Sequence, residues 1–284
     1  MSEQTSAELM IRDACRAEID MMIDWAAKEG WNPGLDDAAP FWAADPGGFL
    51  VGTVDEVPVC AISVVRYPGD LAFLGFYIVH PLHRGQGHGW AIWQAGMARV
   101  AGCNVALDGV VAQQGAYRKS GFTLAHRNIR FGGKPRGAGH LDPRVVPIGP
   151  EMTTELLRYD QGCFGVPREA FLRPWVAPPR IARALVDDGR LRGYGVVRAC
   201  RQGYKIGPLL ADGPELADLL FQALTSEIGD AVVYLDVPEP NLEAVRLAER
   251  WGLAPAFETA RMYTGSDPGL PLERIFGITS FELG

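Results

Sequence analysis

Residues 75–93 read GFYIVHPLHRGQGHGWAIW and form the most informative segment of the sequence. It joins an apolar strand ending at Val79 to a helix beginning at His88, and three glycines, Gly85, Gly87 and Gly89, lie in the loop and the first turn of the helix. Glycine permits positive φ angles and a close approach of the backbone to a ligand. Unpaired amides at a helix start bind phosphate, helped by the helix dipole. The stretch therefore predicts a site for an anionic group such as a pyrophosphate.

Three kinds of phosphate-binding loop can be compared with it. A Walker loop requires GxxxxGK[ST], and the chain has no such lysine here. A dinucleotide site requires GxGxxG between parallel strands, whereas the preceding strands here read as an antiparallel meander. The third kind is the Arg/Gln-x-x-Gly-x-Gly/Ala loop of the Gcn5-related N-acetyltransferase (GNAT) superfamily. The sequence resembles it, with Arg84, Gly87 and Gly89 in the corresponding positions. A tight turn without a ligand is the remaining alternative.

The resemblance implies acetyl-CoA as cosubstrate and no metal ion. It implies that the cofactor runs along the strand ending Ile78-Val79, and that its pyrophosphate lies on the loop formed by Arg84, Gly85, Gln86, Gly87, His88 and Gly89. A second segment, AYRKSGF at 116–122, resembles the Tyr-x-x-x-Gly-Phe segment of the same superfamily. In relatives this tyrosine lies near the cofactor sulfur and acts as general acid, which implies a catalytic role for Tyr117. The alternative is that Tyr117 only packs between helix and sheet.

Outward from the loop, hydrophobic periodicity and turn residues predict a regular order of elements. The first half is predicted to contain a strand at Leu9–Arg12, a helix at Arg16–Lys28, strands at Gly48–Val54, Val57–Arg66 and Leu71–Val79, a helix at His88–Ala101, a strand at Val105–Asp108, a helix at Gln113–Ser120 and a strand at Phe122–Phe131. The second half is predicted to repeat this pattern.

The repeat is clearest where each half ends. Gly121 precedes Arg130 by nine residues, and Gly252 precedes Arg261 by nine. We therefore predict an α/β (α+β) protein of two tandem GNAT-like domains, each with a mixed, mostly antiparallel central sheet flanked by helices. Two unrelated α/β domains are the alternative.

The predicted boundaries are an N-terminal cofactor-binding domain at 1–133, a Gly- and Pro-rich linker at 134–146 and a C-terminal domain at 147–284. The second half lacks the groups that carry chemistry in the first. Its strand–helix junction, Lys205–Pro214, has no Arg-x-x-Gly-x-Gly pattern, and its prolines remove amide donors. Ala248 takes the place of the tyrosine. We interpret this half as a non-catalytic domain that shapes the substrate cleft or substitutes for a dimer partner.

The acceptor side is predicted less sharply. In the superfamily the segment between the first helices forms a wall of the acceptor site, which makes Glu29, Trp31 and Asn32 candidates for substrate contacts. Trp31 can stack on a substrate and Glu29 can attract an ammonium group. A solvated turn with Trp31 packed in the core is an equally good interpretation. Asp108 ends the strand beside the cofactor strand, so it is the candidate general base for an amine that must lose a proton.

Composition narrows the function classes. The net charge of −7 over 284 residues disfavours nucleic acid and anionic membranes as partners. No run of 18 apolar residues and no signal-peptide core is present, and the five cysteines are scattered, so we expect a cytoplasmic protein without a membrane partner. His80, His83 and His88 do not have the spacing of a zinc site, so no metal is expected.

These observations predict an N-acetyltransferase that transfers an acetyl group from acetyl-CoA to a primary amine of a small molecule by direct attack. Two alternatives remain: a regulatory module that binds acyl-CoA without turnover, and a protein-lysine acetyltransferase. The chain is expected to be a monomer or a homodimer.

Overall fold

The computed structural model describes residues 8–136 and 141–284. In the first half these form β1 (Met10–Asp13), α1 (Arg16–Lys28), α2 (Ala38–Ala44), β2 (Phe49–Val54), β3 (Val57–Arg66), β4 (Leu71–Val79), α3 (His88–Arg99), β5 (Asn104–Val110), α4 (Gln114–Lys119) and β6 (Thr123–Gly133). In the second half they form β7 (Val145–Pro147), α5 (Thr153–Phe164), α6 (Glu169–Trp175), β8 (Ile181–Asp187), β9 (Arg190–Ala199), β10 (Tyr204–Ala211), α7 (Pro214–Ser226), β11 (Val233–Pro238), α8 (Leu242–Arg250), β12 (Ala254–Tyr263) and β13 (Ile275–Gly277).

Local sequence explains the first elements. Helix α1 begins where the Glu18 carboxylate accepts a hydrogen bond from the amide of Cys15, 2.8 Å away. Its buried face carries apolar residues at helical spacing, among them Ile19, Met22 and Ile23. Strands β2 and β3 are joined by Asp55-Glu56, and both residues adopt positive φ angles, as a two-residue hairpin turn requires.

The strands form one continuous mixed sheet in the order β1-β2-β3-β4-β5-β12-β6-β11-β10-β9-β8-β7, with β13 paired to β10. Strand β12 of the second half lies between β5 and β6 of the first and is antiparallel to both. Strand β6 lies in turn between β12 and β11 of the second half. The boundary predicted at Gly133 therefore divides the sequence but does not divide the sheet.

Among the described residues, two buried ion pairs connect the exchanged strands, each with its arginine in a different half. Arg261 on β12 forms a bidentate pair with Asp108 on β5, with nitrogen–oxygen distances of 2.9 and 2.8 Å. Arg130 on β6 forms the same kind of pair with Asp236 on β11, at 2.6 and 2.8 Å. All four side chains are buried. The glycine–arginine repeat in the sequence thus marks arginines that each neutralise an aspartate of the other half.

The predicted linker is only partly described, because residues 137–140 lie outside the described ranges. Its last residues form part of β7, which pairs antiparallel with β8. The amide of Arg136 donates to the carbonyl of Trp251, at 3.0 Å. The end of the predicted linker thus contributes to a short strand at the edge of the sheet, and the domain boundaries themselves stay a prediction.

An aromatic cluster joins the halves above the sheet. Phe41 of α2 stacks on Phe171 and Trp175 of α6, with ring centroids 6.4 and 5.9 Å apart. All three rings are fully buried. The indole of Trp175 also donates to the carbonyl of Gly207 at 3.0 Å. This packing fixes α1 and α2, which lead into the acceptor-side loop, against the second half.

Residues 278–284, which we call the tail, are buried along their whole length. The Tyr67 hydroxyl donates to the carbonyl of Leu283, at 2.9 Å. The Arg168 guanidinium donates to the Thr279 hydroxyl and to the carbonyl of Gly284, at 2.9 and 3.3 Å. The tail therefore occupies a fixed position between the two halves. No helix within the described ranges is long and apolar enough to cross a membrane.

Candidate active site

A cavity of about 490 Å³ opens where two parallel strands separate. Strands β4 and β5 pair only from Leu71–Leu74 to Asn104–Leu107. Beyond that point, residues 75–79 of β4 and 107–110 of β5 line opposite sides of the cavity. Among the described residues, no strand pairs there with the edge of β4 that faces away from β3, so backbone groups along this edge are open to a ligand, apart from the Val79 carbonyl, which accepts from Arg84.

An irregularity in β4 produces the opening. The register with β3 shifts between Ala61 and Ser63, and Phe76 adopts φ 45°, a strained conformation for a bulky residue. Gly75 is required at this place, because a Cβ there would lie 2.2 Å from the carbonyl oxygen of Glu282 in the tail. The tail is therefore pressed against the strand at the bend.

The glycine-rich loop lies beside this edge. Gly85 and Gly87 have φ angles of 76° and 85°, and a Cβ at either would touch nothing within 4 Å. The glycines are thus needed for backbone conformation and leave open space around the loop. Helix α3 begins at His88 after the N-cap residue Gly87, which has no side chain that could accept hydrogen bonds from the first amides of the helix. These features fit a pyrophosphate group.

The other loop side chains have protein partners. Arg84 donates from Nε to the carbonyl of Val79 at 2.9 Å, and its Nη2 forms an ion pair with Glu29. Gln86 donates to the carbonyl of Leu82 at 3.3 Å. Arg84 and Glu29 both line the cavity, together with Ile78 and Val79, whereas the loop residues from 85 to 89 lie outside its wall.

Tyr117 of α4 reaches the cavity from the opposite side. It is 8% exposed and packs so closely on Gly109 of β5 that a Cβ there would lie 2.5 Å from its ring. Its ring stacks on Trp93 of α3, with centroids 5.7 Å apart. Burial raises the pKa of Tyr117 to about 12, and the neighbouring Tyr77 adds to this increase. Tyr117 therefore keeps its proton at neutral pH.

Asp108 lies on the cavity wall, but its carboxylate is fully engaged. Both of its oxygens accept hydrogen bonds from Arg261, and one also accepts from Asn128 at 2.7 Å. Both oxygens of Asp108 are thus already occupied by protein donors, and its assignment as general base stays a prediction.

The acceptor-side residues are only partly brought together. Glu29 and Trp31 line the cavity, and the carbonyl of Trp31 accepts from Arg130 at 2.7 Å. Asn32 does not line it. Its side chain exchanges two hydrogen bonds with the backbone of Gln202, at 3.0 and 2.9 Å, because the loop is docked on the second half.

The second half supplies wall residues that the sequence analysis did not identify. These are Phe257 and Thr259 of β12 and Phe281 and Glu282 of the tail. The guanidinium of Arg130 lies over the rings of Phe281 and Phe257, at 4.7 and 5.6 Å from their centroids. No motif marks these positions in the sequence, because they reach the cavity only through the strand exchange.

The corresponding opening in the second half is filled by the chain itself. Strands β10 and β11 pair in parallel only from Tyr204 to Ile206, and β13 then pairs with β10 beyond that point. The Asn241 side chain donates to the carbonyls of Leu272 and Ile275, at 2.9 and 3.0 Å, and so holds β13 in place. A cofactor chain entering here would have to displace a strand.

Among the described residues, no group of three or more His, Cys, Asp or Glu side chains is arranged to hold a metal ion. His80, His83 and His88 lie in a row along the loop, with adjacent ring centroids 5.9 and 6.3 Å apart.

Comparison with known proteins agrees with this geometry. The family model described as the acetyltransferase (GNAT) family matches residues 16–122, and a second, described as an acetyltransferase (GNAT) domain, matches residues 156–277. The chain is 30% identical over 275 residues to the holothin acyltransferase of Pseudoalteromonas sp. (strain SANK 73390), covering 96% of this chain and 94% of that protein.

Two solved structures have the same fold. A putative acetyltransferase from Pyrococcus horikoshii superposes with a TM-score of 0.83 at 21% identity, covering 97% of this chain and 96% of that one. A tandem GNAT protein from the clavulanic acid biosynthesis pathway superposes with a TM-score of 0.66 at 15% identity, covering 92% of this chain and 100% of that one. The predicted tandem arrangement and fold class are confirmed.

Proposed function

The chain belongs to the GNAT family of acyltransferases, and we propose that it transfers an acetyl group from acetyl-CoA to a primary amine of a small molecule by direct attack. The observation that carries this proposal is the cavity between β4 and β5. It places an unpaired strand edge and Tyr117 around one cavity, next to the glycine-rich loop. A thioester and an amine need these groups near each other, because the reaction is a displacement between two bound substrates.

In this proposal each part of the site has one task. The free amides at the start of α3 and the loop from Arg84 to Gly89 hold the pyrophosphate. The unpaired edge at Ile78 and Val79 holds the pantetheine, and the Val79 amide helps to stabilise the oxyanion. Tyr117 protonates the departing sulfur. Burial raises the pKa of the phenol and also raises the pKa of the departing thiol. The pKa values of the proton donor and the proton acceptor therefore shift in the same direction.

The volume of the cavity and its lining favour a small acceptor. Side chains of both halves line it, among them Trp31 of the first half and Phe257 and Phe281 of the second. Holothin, from which the full-length relative takes its name, belongs in any panel of acceptors. One acetyl-CoA per chain is expected, because β13 fills the opening in the second half.

A thiol-release assay tests the proposal. Purified protein is given acetyl-CoA and a panel of small amines, amino acids, holothin and a lysine-rich peptide. Release of CoA with a small amine supports it, whereas release with the peptide alone indicates a protein-lysine acetyltransferase. Binding of acetyl-CoA without release in any case indicates a module that binds acyl-CoA without turnover.

Two variants then test the assigned roles. Tyr117→Phe should lower kcat by about 100-fold or more while leaving acetyl-CoA affinity nearly unchanged, since only the proton donor is lost. Tyr234→Phe, on β11 away from the cavity wall, is the matched control. Calorimetry should give one acetyl-CoA per chain. Unchanged turnover in Tyr117→Phe would make Tyr117 a packing residue.

A further inference from the structure

The proposed reaction leaves one task unassigned, because an alkylammonium group with a pKa near 10 must lose a proton before it attacks. Three carboxylates line the cavity among the described residues: Glu29, Asp108 and Glu282. Glu29 is paired with Arg84, and Asp108 is paired with Arg261. Both oxygens of Glu282 are buried without a hydrogen-bond partner within the described ranges.

A buried carboxylate without a hydrogen-bond partner is costly, since it has lost its hydration and gained no hydrogen bond in return. The tail nevertheless holds Glu282 firmly, through the bonds at Leu283 and Gly284 described above. Its carbonyl oxygen lies against Gly75, at the bend where β4 leaves β5. Glu282 is only 2% exposed, both of its carboxylate oxygens are buried, and the residue lines the cavity beside Phe281.

We propose that Glu282 is the general base of the reaction, which accepts the proton of the acceptor amine directly or through one water molecule. This inference rests on the proposed function. The amine, or the water bound to it, is the donor that the two carboxylate oxygens lack. The base then comes from the second half, while the cofactor loop and Tyr117 come from the first.

Protons and electrons balance as follows. The ammonium gives one proton to Glu282, the nitrogen lone pair forms the N–C bond, and the C–S bond breaks with its electron pair moving to sulfur. Tyr117 protonates the sulfur and regains a proton from the nitrogen as the amide forms. Glu282 releases its proton to solvent, so that one ammonium and one thioester yield one amide, one thiol and one proton.

The charges around Glu282 suit this task. Burial raises the pKa of its carboxyl group, the cations Lys205, Arg198 and Arg130 lower it, and Asp37 raises it. Lys205 is itself fully buried with its Nζ unpartnered among the described residues, and burial lowers its pKa. A carboxylate whose pKa is raised by burial is a better proton acceptor than an exposed one.

The test is the pH dependence of kcat/KM for Glu282→Gln. The native enzyme should show an acidic limb set by Glu282. The variant should lose about 100-fold or more at pH 7, and its rate should then rise about tenfold per pH unit, because only free amine can react. Acetyl-CoA affinity should not change. Glu273→Gln, an exposed glutamate just before the tail, is the control.

A merely structural role predicts something else, namely an equal loss at every pH. An unchanged profile in Glu282→Gln would overturn the inference while leaving the proposed function intact. If the native enzyme releases no CoA with any amine, the proposed function fails and this inference fails with it.

Lys205→Met is an independent test of Glu282 as the general base, and it replaces Glu282→Gln if that variant does not fold. Removal of a cation that lowers the pKa of Glu282 should shift the acidic limb to higher pH. A limb that stays in place in Lys205→Met would contradict the assignment.

Discussion

Removal of the Arg261 guanidinium should destabilise the whole protein, not only the second half. Arg261 is the ion-pair partner of Asp108, whose side chain has no exposure. Breaking a buried pair by removing one partner costs about 3–5 kcal/mol, because the remaining charge is left without compensation. We expect Arg261→Met to lower the free energy of unfolding by about 3 kcal/mol, near the lower end of this range, since Asn128 still donates to Asp108.

Urea unfolding, followed by both circular dichroism and tryptophan fluorescence, measures this change. The two signals should coincide in one transition, because β12 and β6 tie both halves into one sheet. Adding Asp108→Asn to Arg261→Met removes the unpaired charge, so the double variant should recover much of the loss. Arg246→Met, which breaks an exposed pair with Glu243, should cost less than about 1 kcal/mol. A loss below about 1 kcal/mol in Arg261→Met would refute the reasoning.

Three further predictions follow from the same geometry. Gly75→Ala should lower turnover and should lower the free energy of unfolding by about 1–3 kcal/mol, because its Cβ would meet the carbonyl oxygen of Glu282. A melting curve like that of the native protein would show that the tail can move aside. A fragment of residues 1–133 should bind no acetyl-CoA in calorimetry, because β12 is missing between β5 and β6; native affinity would mean that the strand exchange is not needed for the cofactor site. Because the pKa of Tyr117 is raised to about 12, its proton is present below that pH, so kcat should not fall on the alkaline side before about pH 10; a fall near pH 8 would exclude Tyr117 as the donor.

Local patterns predicted much of the fold. The bounds of α1, β3 and β4 agree with the periodicity, since the signals that set them, a cap, a turn and an alternating run, lie within the segments themselves. Helices α2 and α6 were missed. Each has seven residues, and they are held mainly by the stacking of Phe41 on Trp175. Segments so short depend on tertiary packing, which sequence periodicity does not report.

For the candidate site, the sequence predicts a cofactor loop and Tyr117, because spacing within one segment carries the chemistry proposed for them. It does not predict Phe257 and Glu282 as residues of the cavity wall. They lie more than 100 residues from the loop in sequence and reach the cavity through the exchange of β12 and the path of the tail. A strand that pairs across halves has the same alternation of apolar and polar residues as a strand that pairs within its own half. This alternation therefore does not predict the strand exchange.

The strand exchange also imposes an order on synthesis. When β5 and β6 have left the ribosome, the strand that belongs between them has not been translated, and it is complete only at Tyr263. Until then the nascent chain carries two open sheet edges, which are sites for wrong pairing and aggregation. Closing the gap requires contacts between distant parts of the chain, which slows folding. We therefore expect the nascent chain to need chaperones during translation, even where the folded protein itself is stable.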